Sequence, residues 1–206
     1  MATRRMSRAR ASRNVSSVQQ ISSIVNRMIN SRAEHKVLSK TNLANTTATA
    51  GTVINLSNDI IQGDNFDNRS GDTIRVLKTK FKIQFQGVTT DSVNRYIVFR
   101  DMQNLGTTPA VTDVLNSASF ISGYDGLNVY QQKRFVILKD YSMTNNINGQ
   151  TLLYDEYTNN TPYKIYYNGA TAVASANGKG ALFVLVIGSG STATFNLDVE
   201  LVYTDS

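Results

Sequence analysis

Leu77-Lys-Thr-Lys-Phe-Lys-Ile-Gln-Phe85 alternates between apolar and polar side chains. Because neighbouring residues of a strand point to opposite faces of a sheet, this period of two predicts a strand with one buried and one polar face. The polar face carries Lys78, Lys80, Lys82 and Gln84. A solvated strand face explains these lysines better than contact with a nucleic acid, which remains the alternative.

Similar patterns recur along the chain. Further strands are predicted near residues 53–56, 95–100, 129–138, 163–167, 182–187 and 195–203. Residues 42–49 are expected to form a linker, Asp155 and Glu156 a loop, and residues 109–116 one or two helical turns. Many strands with long connections, without the spacing of βαβ units, favour an antiparallel sandwich or jelly roll.

The composition restricts the class of protein. A chain of 206 residues suits a single all-β domain that buries its own core. The sequence has no Cys, which excludes disulfides, thiolate metal sites and cysteine nucleophiles. The longest apolar run, residues 181–187, falls well short of the roughly 18 residues of a membrane span. We therefore expect a buried strand there and no membrane partner.

Positive charge is concentrated at the N-terminus. The whole chain carries a formal charge of +6. Residues 1–36 hold eight Lys or Arg against Glu34 alone, which gives +7, whereas residues 37–206 hold 13 basic and 14 acidic groups, which gives −1. A neutral body with a cationic arm is typical of a protein that binds a polyanion, either a nucleic acid or an anionic membrane face.

The N-terminal segment has two parts. Residues 1–14 contain five Arg and almost no core-forming side chains, so they are predicted to be disordered until they bind a partner. From residue 15 apolar side chains recur every three or four positions, which predicts a short amphipathic helix over residues 15–32. We therefore divide the chain into an arm, residues 1–36, and a main domain, residues 37–206. An organelle transit peptide has a similar composition and remains an alternative for the arm.

Catalytic groups are hard to find in this sequence. The sole histidine, His35, lies on the arm and is interpreted as a surface residue. Asp155 and Glu156 would point to opposite faces of an extended chain, unlike a converging acid and base. Gly178-Lys-Gly180 lacks the rest of a phosphate loop and is read as a turn before a strand. We predict no catalytic residue and no enzymatic function.

Several long runs resemble the satellite tobacco necrosis virus coat protein family. They include Ile60-Ile-Gln-Gly-Asp64, Gln131-Gln-Lys-Arg-Phe135, Tyr167-Asn-Gly-Ala-Thr-Ala-Val-Ala174 and Val202-Tyr-Thr-Asp205. The resemblance covers nearly all of residues 28–206. It implies an eight-stranded antiparallel jelly roll and a T=1 icosahedral shell of sixty copies, with N-terminal helices directed inward onto single-stranded RNA. Capsid proteins of small circular DNA viruses resemble the same family, so a DNA genome is an alternative.

The resemblance also implies residues that contact the genome. The inner-surface cations of the family correspond to Arg27, Arg75, Arg100 and Lys133. Two basic helix positions of the family are Ser23 and Asn26 here. The arginines of this chain lie upstream, at Arg4, Arg5, Arg8, Arg10 and Arg13. We therefore assign electrostatic packaging to these five arginines.

Structural calcium sites follow from the same resemblance. One site combines the carbonyls of Ser70 and Thr73 with the carboxylates of Asp205 and Glu34, which are oxygen donors that a hard cation prefers. A second is a ring of Asp64 side chains on the threefold axis, and a third uses the carbonyl of Asn148 on the fivefold axis. Without the resemblance, each carboxylate would be read as a turn or cap residue.

The expected function is therefore structural. The chain is predicted to be a capsid protein of the virion, assembled in the cytoplasm of the host cell. An alternative from a different class is a monomeric β-sandwich that binds carbohydrate and carries a cleaved basic targeting segment.

Overall fold

The computed structural model describes residues 19–25, 34–86, 91–104, 106–146, 153–190 and 193–205. The chain divides into two units, Met1–Glu34 and His35–Ser206. In the first unit, residues 19–25 form helix α1, whose residues are all exposed. This helix matches the middle of the amphipathic helix predicted over residues 15–32. Within the described ranges, no helix is both long and apolar enough to cross a membrane.

The second unit, which we call the body, is built from antiparallel strands. Its described residues form β1 (Lys36–Thr46), β2 (Thr52–Asn55), β3 (Thr73–Gln86), β4 (Ser92–Asp101), β5 (Phe135–Asn145), β6 (Leu153–Asn159), β7 (Tyr163–Tyr166), β8 (Ala181–Gly188) and β9 (Thr194–Asp205). The first sheet has the order β1-β9-β3-β6, with β7 also paired to β3, and the second has the order β2-β8-β4-β5.

This connectivity is that of a jelly roll, because the chain crosses between the two sheets at every step except from β4 to β5 and from β6 to β7. Strands β6 and β7 lie end to end along one edge of β3, where they pair with residues 79–85 and 73–76 respectively. Eight strand positions are therefore filled by nine segments. The predicted all-β antiparallel jelly roll is confirmed.

The two sheets enclose the main hydrophobic core. Inward-facing side chains of β3 and β9 pack against those of β4 and β8. A second cluster covers the other face of the second sheet and includes Phe99, Phe183 and Val114. Strand β8 is therefore buried along its whole length, as its run of apolar residues predicts. Each fully buried side chain of this size contributes roughly 1.5–3 kcal/mol.

The connection from β4 to β5 packs against β4 and β8 in the second cluster. It contains helix α2 (Val111–Val114) and a π-helical turn (Gly126–Gln131). The helical turn predicted within residues 109–116 is confirmed. The strand predicted over residues 129–138 is wrong in its first half, because Asp125 caps the π-helical turn by accepting from the Asn128 N–H at 2.7 Å. The strand begins only at Phe135.

The linker predicted over residues 42–49 is also wrong, because β1 extends to Thr46. Lys36 and Lys40 pair with Tyr203 and Val199, whose side chains face the core. The ammonium group of Lys36 donates to the Asn68 carbonyl at 2.7 Å, and that of Lys40 lies 2.8 Å from the Asp59 carboxylate. Both lysines thus anchor the β2–β3 loop. Because they occupy inward positions, the sequence of β1 lacks the apolar alternation that would predict a strand.

Asp155 and Glu156 were predicted in a loop, and this interpretation is wrong because they lie in β6. Their side chains do point to opposite faces. Asp155 accepts from the Tyr96 hydroxyl and lies 3.2 Å from the Lys139 ammonium. Glu156 lies 3.4 Å from the Lys80 ammonium on the solvent side of the first sheet. The pair therefore links strands and does not form an acid–base couple.

Candidate nucleic-acid and cation-binding sites

The N-terminal unit presents an exposed apolar stripe on α1. Ile21, Ile24 and Val25 are 60%, 55% and 45% exposed. A short helix cannot bury such a stripe by itself, so a partner is needed to cover it. Six predicted nucleic-acid contacts, Arg4, Arg5, Arg8, Arg10, Arg13 and Arg27, lie outside the described residues. Their role stays a prediction.

The lysines on the outer face of the first sheet do not share one environment. Lys80 pairs in register with Glu200 of β9, and Lys82 pairs with Asp198 of β9 and Glu156 of β6. Opposite charges in such cross-strand positions stabilise a sheet by roughly 0.2–1 kcal/mol per pair. Carboxylates therefore balance these two lysines, which supports the interpretation of a solvated strand face for them.

Arg75 lies on the same outer face, near the start of β3. Its neighbours Ile74 and Val76 are fully buried, so Arg75 points away from the core. Its register partners are Thr204 of β9 and Lys164 of β7. The side chain predicted to contact the genome is thus on a surface, beside a second cation.

Arg100 lies on β4 of the second sheet and points between the two layers. Its guanidinium carbon is 4.5 Å from the centroid of the buried Tyr163 ring. Burial lowers the pKa of Arg100. Its Nε is buried and has no hydrogen-bond partner among the described residues. The first sheet therefore separates Arg75, on its outer face, from Arg100, between the two sheets, and the two residues do not form a single cationic surface.

Lys133 is exposed, and its φ of 51° closes the loop between the π-helical turn and β5. The adjacent Arg134 has a different role. Its Nη2 lies 3.1 Å from Oδ2 of Asp101, a fully buried carboxylate, and its guanidinium stacks on the Phe135 ring. Of these two basic residues, Lys133 has its side chain exposed to solvent, whereas Arg134 is held against the buried Asp101.

Ser70 and Asp205, which were predicted to share a calcium site, lie in direct contact. The Ser70 N–H donates to Asp205 Oδ1 at 3.2 Å, and its hydroxyl donates to Oδ2 at 2.9 Å. The Lys36 ammonium lies 2.8 Å from the same Oδ2. Burial acts to raise the pKa of Asp205, but the hydrogen bonds from Lys36 and Ser70 outweigh it and hold the pKa below its usual range.

The oxygen donors at this position are of the type that a hard cation prefers, but they include only one carboxylate. Within the described residues, no group of three or more Asp, Glu, His or Cys side chains is placed to hold a metal ion. The Ser70 carbonyl accepts from the Gln62 side-chain amide at 3.1 Å. The body thus offers one carboxylate, already paired with an ammonium group, together with backbone carbonyls. A calcium ion here requires a second carboxylate, the role predicted for Glu34.

The other predicted calcium ligands lie in different parts of the chain. Thr73 begins β3, three residues after Ser70, and its neighbour Ile74 pairs with Asp205. Asp64 is exposed in the β2–β3 loop, and its contact with symmetry copies of itself stays a prediction. Glu34 belongs to the N-terminal unit, and Asn148 lies outside the described residues.

Sequence reasoning missed two buried cations near Asp205. Lys36 is 6% exposed, and Arg69 is fully buried beneath the Tyr167 ring, 4.3 Å from its centroid. The Arg69 guanidinium donates to the carbonyls of Gly71 and Gly169, which ties the β2–β3 loop to the β7–β8 loop. A lysine at the start of a strand that carries few apolar residues gives no sequence signal for this role.

The chain is similar to coat proteins of satellite viruses. A family model described as satellite tobacco necrosis virus coat protein matches residues 3–206. The capsid protein of Satellite tobacco necrosis virus 1 is 46% identical over 182 residues, which cover 88% of this chain and 92% of that protein. The coat protein of Satellite tobacco necrosis virus 2 is 43% identical over 185 residues, which cover 90% and 93%. The coat protein of Maize white line mosaic Satellite virus is 34% identical and covers 100% of both chains. Since the match spans almost the whole chain, this protein belongs to the satellite tobacco necrosis virus coat protein family.

Proposed function

We propose that this coat protein assembles into a T=1 shell of sixty copies and packages single-stranded RNA through its arginine-rich arm. Family membership makes the chain a structural protein of the virion capsid, a class of protein that is not enzymatic. The proposal adds the copy number, the kind of nucleic acid and the part of the chain that binds it.

The segregation of charge carries the proposal. Residues 1–36 hold a net charge of +7 and the rest of the chain −1. A shell protein needs cations where it faces the genome, and an arm can follow a flexible strand that has no fixed shape. Each phosphate neutralised on a single strand contributes about −0.7 to the slope of log affinity against log salt.

Deletion of residues 2–14 tests the arm. Particles of the shortened chain are expected to hold much less nucleic acid than those of the full chain, measured as absorbance at 260 nm relative to 280 nm. The circular dichroism of the body should be unchanged, because the described body begins at His35. A normal nucleic-acid content in these particles would show that the arm does not package the genome.

Two further measurements separate the alternatives. Nucleic acid extracted from particles should be degraded by ribonuclease and resist deoxyribonuclease, whereas the reverse would assign a DNA genome. Native mass determination should give sixty chains per shell. A stable monomer would instead support the carbohydrate-binding sandwich.

We also propose that calcium stabilises contacts between copies, through Asp64 and through Ser70, Thr73 and Asp205 together with Glu34. The contact between Ser70 and Asp205 supports this proposal. Calcium would neutralise carboxylates that symmetry brings together and would bridge them with oxygen ligands at about 2.3–2.6 Å.

A further inference from the structure

The outer face of the first sheet has two electrically different ends. At one end, Lys80 and Lys82 lie among three carboxylates, those of Glu156, Asp198 and Glu200. The net formal charge of this group is −1. The sheet register, which the sequence alone does not show, produces this balance.

The other end of the same face is cationic. Arg75 pairs with Lys164 across β3 and β7, and Lys78 follows on β3, where it pairs with Val202. Directly opposed strand residues have Cα atoms about 4.5–5.5 Å apart, so Arg75 and Lys164 lie side by side. Asp72, which precedes β3, has its carboxylate 3.3 Å from the buried Arg69 guanidinium. We call Arg75, Lys78 and Lys164 the cationic end; its formal charge is +3.

An exposed aromatic ring borders the cationic end. Buried and exposed residues alternate along β7. Tyr163 and Ile165 are buried, whereas Lys164 and Tyr166 point outward. Tyr166 pairs with Thr73 in the row next to Arg75 and Lys164, and it is 41% exposed. A surface that binds single strands has two parts. Cations contact the phosphate backbone, and an aromatic ring stacks on a base.

We propose that the cationic end, together with Tyr166, binds a segment of single-stranded nucleic acid. The lysines and Arg75 contact phosphates, and the Tyr166 ring stacks on one base. This inference rests on the proposed function, because it takes the genome as the ligand. It goes beyond that function by adding Lys78, Lys164 and Tyr166 as contacts on the body, at a place separate from the arm.

Photo-crosslinking tests the base contact with a control on the same face. Tyr154 of β6 is 57% exposed, more than Tyr166, but its hydroxyl donates to Glu156 at 2.9 Å at the acidic end. Particles of the full chain are assembled with an unstructured oligouridylate that carries 4-thiouridine, irradiated and digested, and adducts are mapped by mass spectrometry. We expect adducts on Tyr166 and background at Tyr154. Adducts on Tyr154 with none on Tyr166 would overturn the proposal, since exposure alone would then decide the pattern.

A pair of double variants tests the phosphate contacts. Lys78→Gln with Lys164→Gln removes two charges from the cationic end, and Lys80→Gln with Lys82→Gln removes two from the balanced end. Affinity of the unassembled full chain for oligouridylate is measured by fluorescence anisotropy over a series of salt concentrations. The first pair should reduce the magnitude of the salt slope by about 1.4, because each phosphate contact contributes about 0.7. The control pair should leave the slope unchanged, and equal slopes for both pairs would refute the phosphate contacts.

These experiments distinguish RNA binding by the cationic end from RNA binding by the arm. If deletion of residues 2–14 lowers the RNA content while Tyr166 forms no adduct, the arm packages the genome and this surface does not bind it. If Tyr166 still forms adducts in the shortened chain, the surface binds RNA whatever the arm does. If the Lys78 and Lys164 changes abolish assembly without nucleic acid and leave RNA affinity intact, the surface contacts a second copy and the proposal is wrong.

Discussion

The Lys36 ammonium lies 2.8 Å from Asp205 Oδ2 and joins the first residue of β1 to the last residue of β9. Lys36 is almost fully buried, and its second bond goes to the Asn68 carbonyl at 2.7 Å. One side chain thus holds together the edge of the first sheet, its C-terminal strand and the β2–β3 loop. The predicted calcium ligands Asp64 and Ser70 lie on that loop.

Asp205→Asn is expected to destabilise the body, because it leaves the buried Lys36 ammonium without its counter-ion. Breaking one partner of a buried pair typically costs 3–5 kcal/mol, and the partial exposure of Asp205 reduces this to about 2 kcal/mol. Urea unfolding of the unassembled chain in the presence of a chelator measures the change. Asp64→Asn in the exposed loop is the control and should change stability by less than about 0.5 kcal/mol. Equal stabilities for the two variants would contradict the role of the ion pair.

A second ion pair holds the β4–β5 connection against the second sheet. Arg95 donates to both oxygens of Asp140 at 2.8 and 2.6 Å, and also to the carbonyls of Phe120 and Ser122. We expect Arg95→Met to cost about 3 kcal/mol, because it leaves the Asp140 carboxylate without its counter-ion and two carbonyls without their donor. Limited proteolysis should then cut first near residues 117–124. Unchanged cleavage in this segment would show that the arginine does not fasten it.

Acid should weaken the body through the same carboxylates. Burial acts to raise the pKa of Asp140, but the hydrogen bonds from Arg95 and Tyr124 outweigh it and lower the pKa. A carboxylate with a lowered folded pKa stabilises the fold above its unfolded pKa of about 3.9, and this stability is lost as the pH falls through the folded pKa. The stability difference between the chain and Asp140→Asn should therefore be constant above about pH 5 and shrink below about pH 4. A difference that does not vary between pH 3 and pH 6 would contradict this assignment.

Chelation of calcium is expected to loosen assembled particles. Without the cation, symmetry-related Asp64 carboxylates would repel each other, so particles should swell and sediment more slowly. Asp64→Asn removes that repulsion and should weaken the response to chelator. Asp91→Asn, in the β3–β4 connection, is a control that should respond like the unchanged chain. Particles that keep their sedimentation rate in chelator would remove the calcium proposal.

The sequence predicts elements best where a strand alternates cleanly. Strands β3 and β9 present apolar residues inward and polar residues outward, and their places are confirmed. Strand β1 was missed because Lys36 and Lys40 occupy inward positions, where their ammonium groups bind loop acceptors. Strand β6 was missed because Asp155 occupies an inward position and is satisfied by Tyr96 and Lys139.

The candidate sites show the same limit. Composition identifies the cationic arm, and period two places Lys78, Lys80 and Lys82 on one face. Only the register shows that acidic residues of other strands balance Lys80 and Lys82, while Lys164 lies beside Arg75. Contacts such as that between Lys36 and Asp205 join distant parts of the chain, and local patterns carry no information about them.

Replacement of the five arginines between Arg4 and Arg13 tests the central claim most directly. Two full-length variants are compared, one with all five changed to Lys and one with all five changed to Gln, and the RNA mass per particle is measured. Because packaging by the arm depends on charge, the Lys variant should retain most of the RNA and the Gln variant should lose most of it. If the Gln variant packages as much RNA as the unchanged chain, the arm is not what binds the genome.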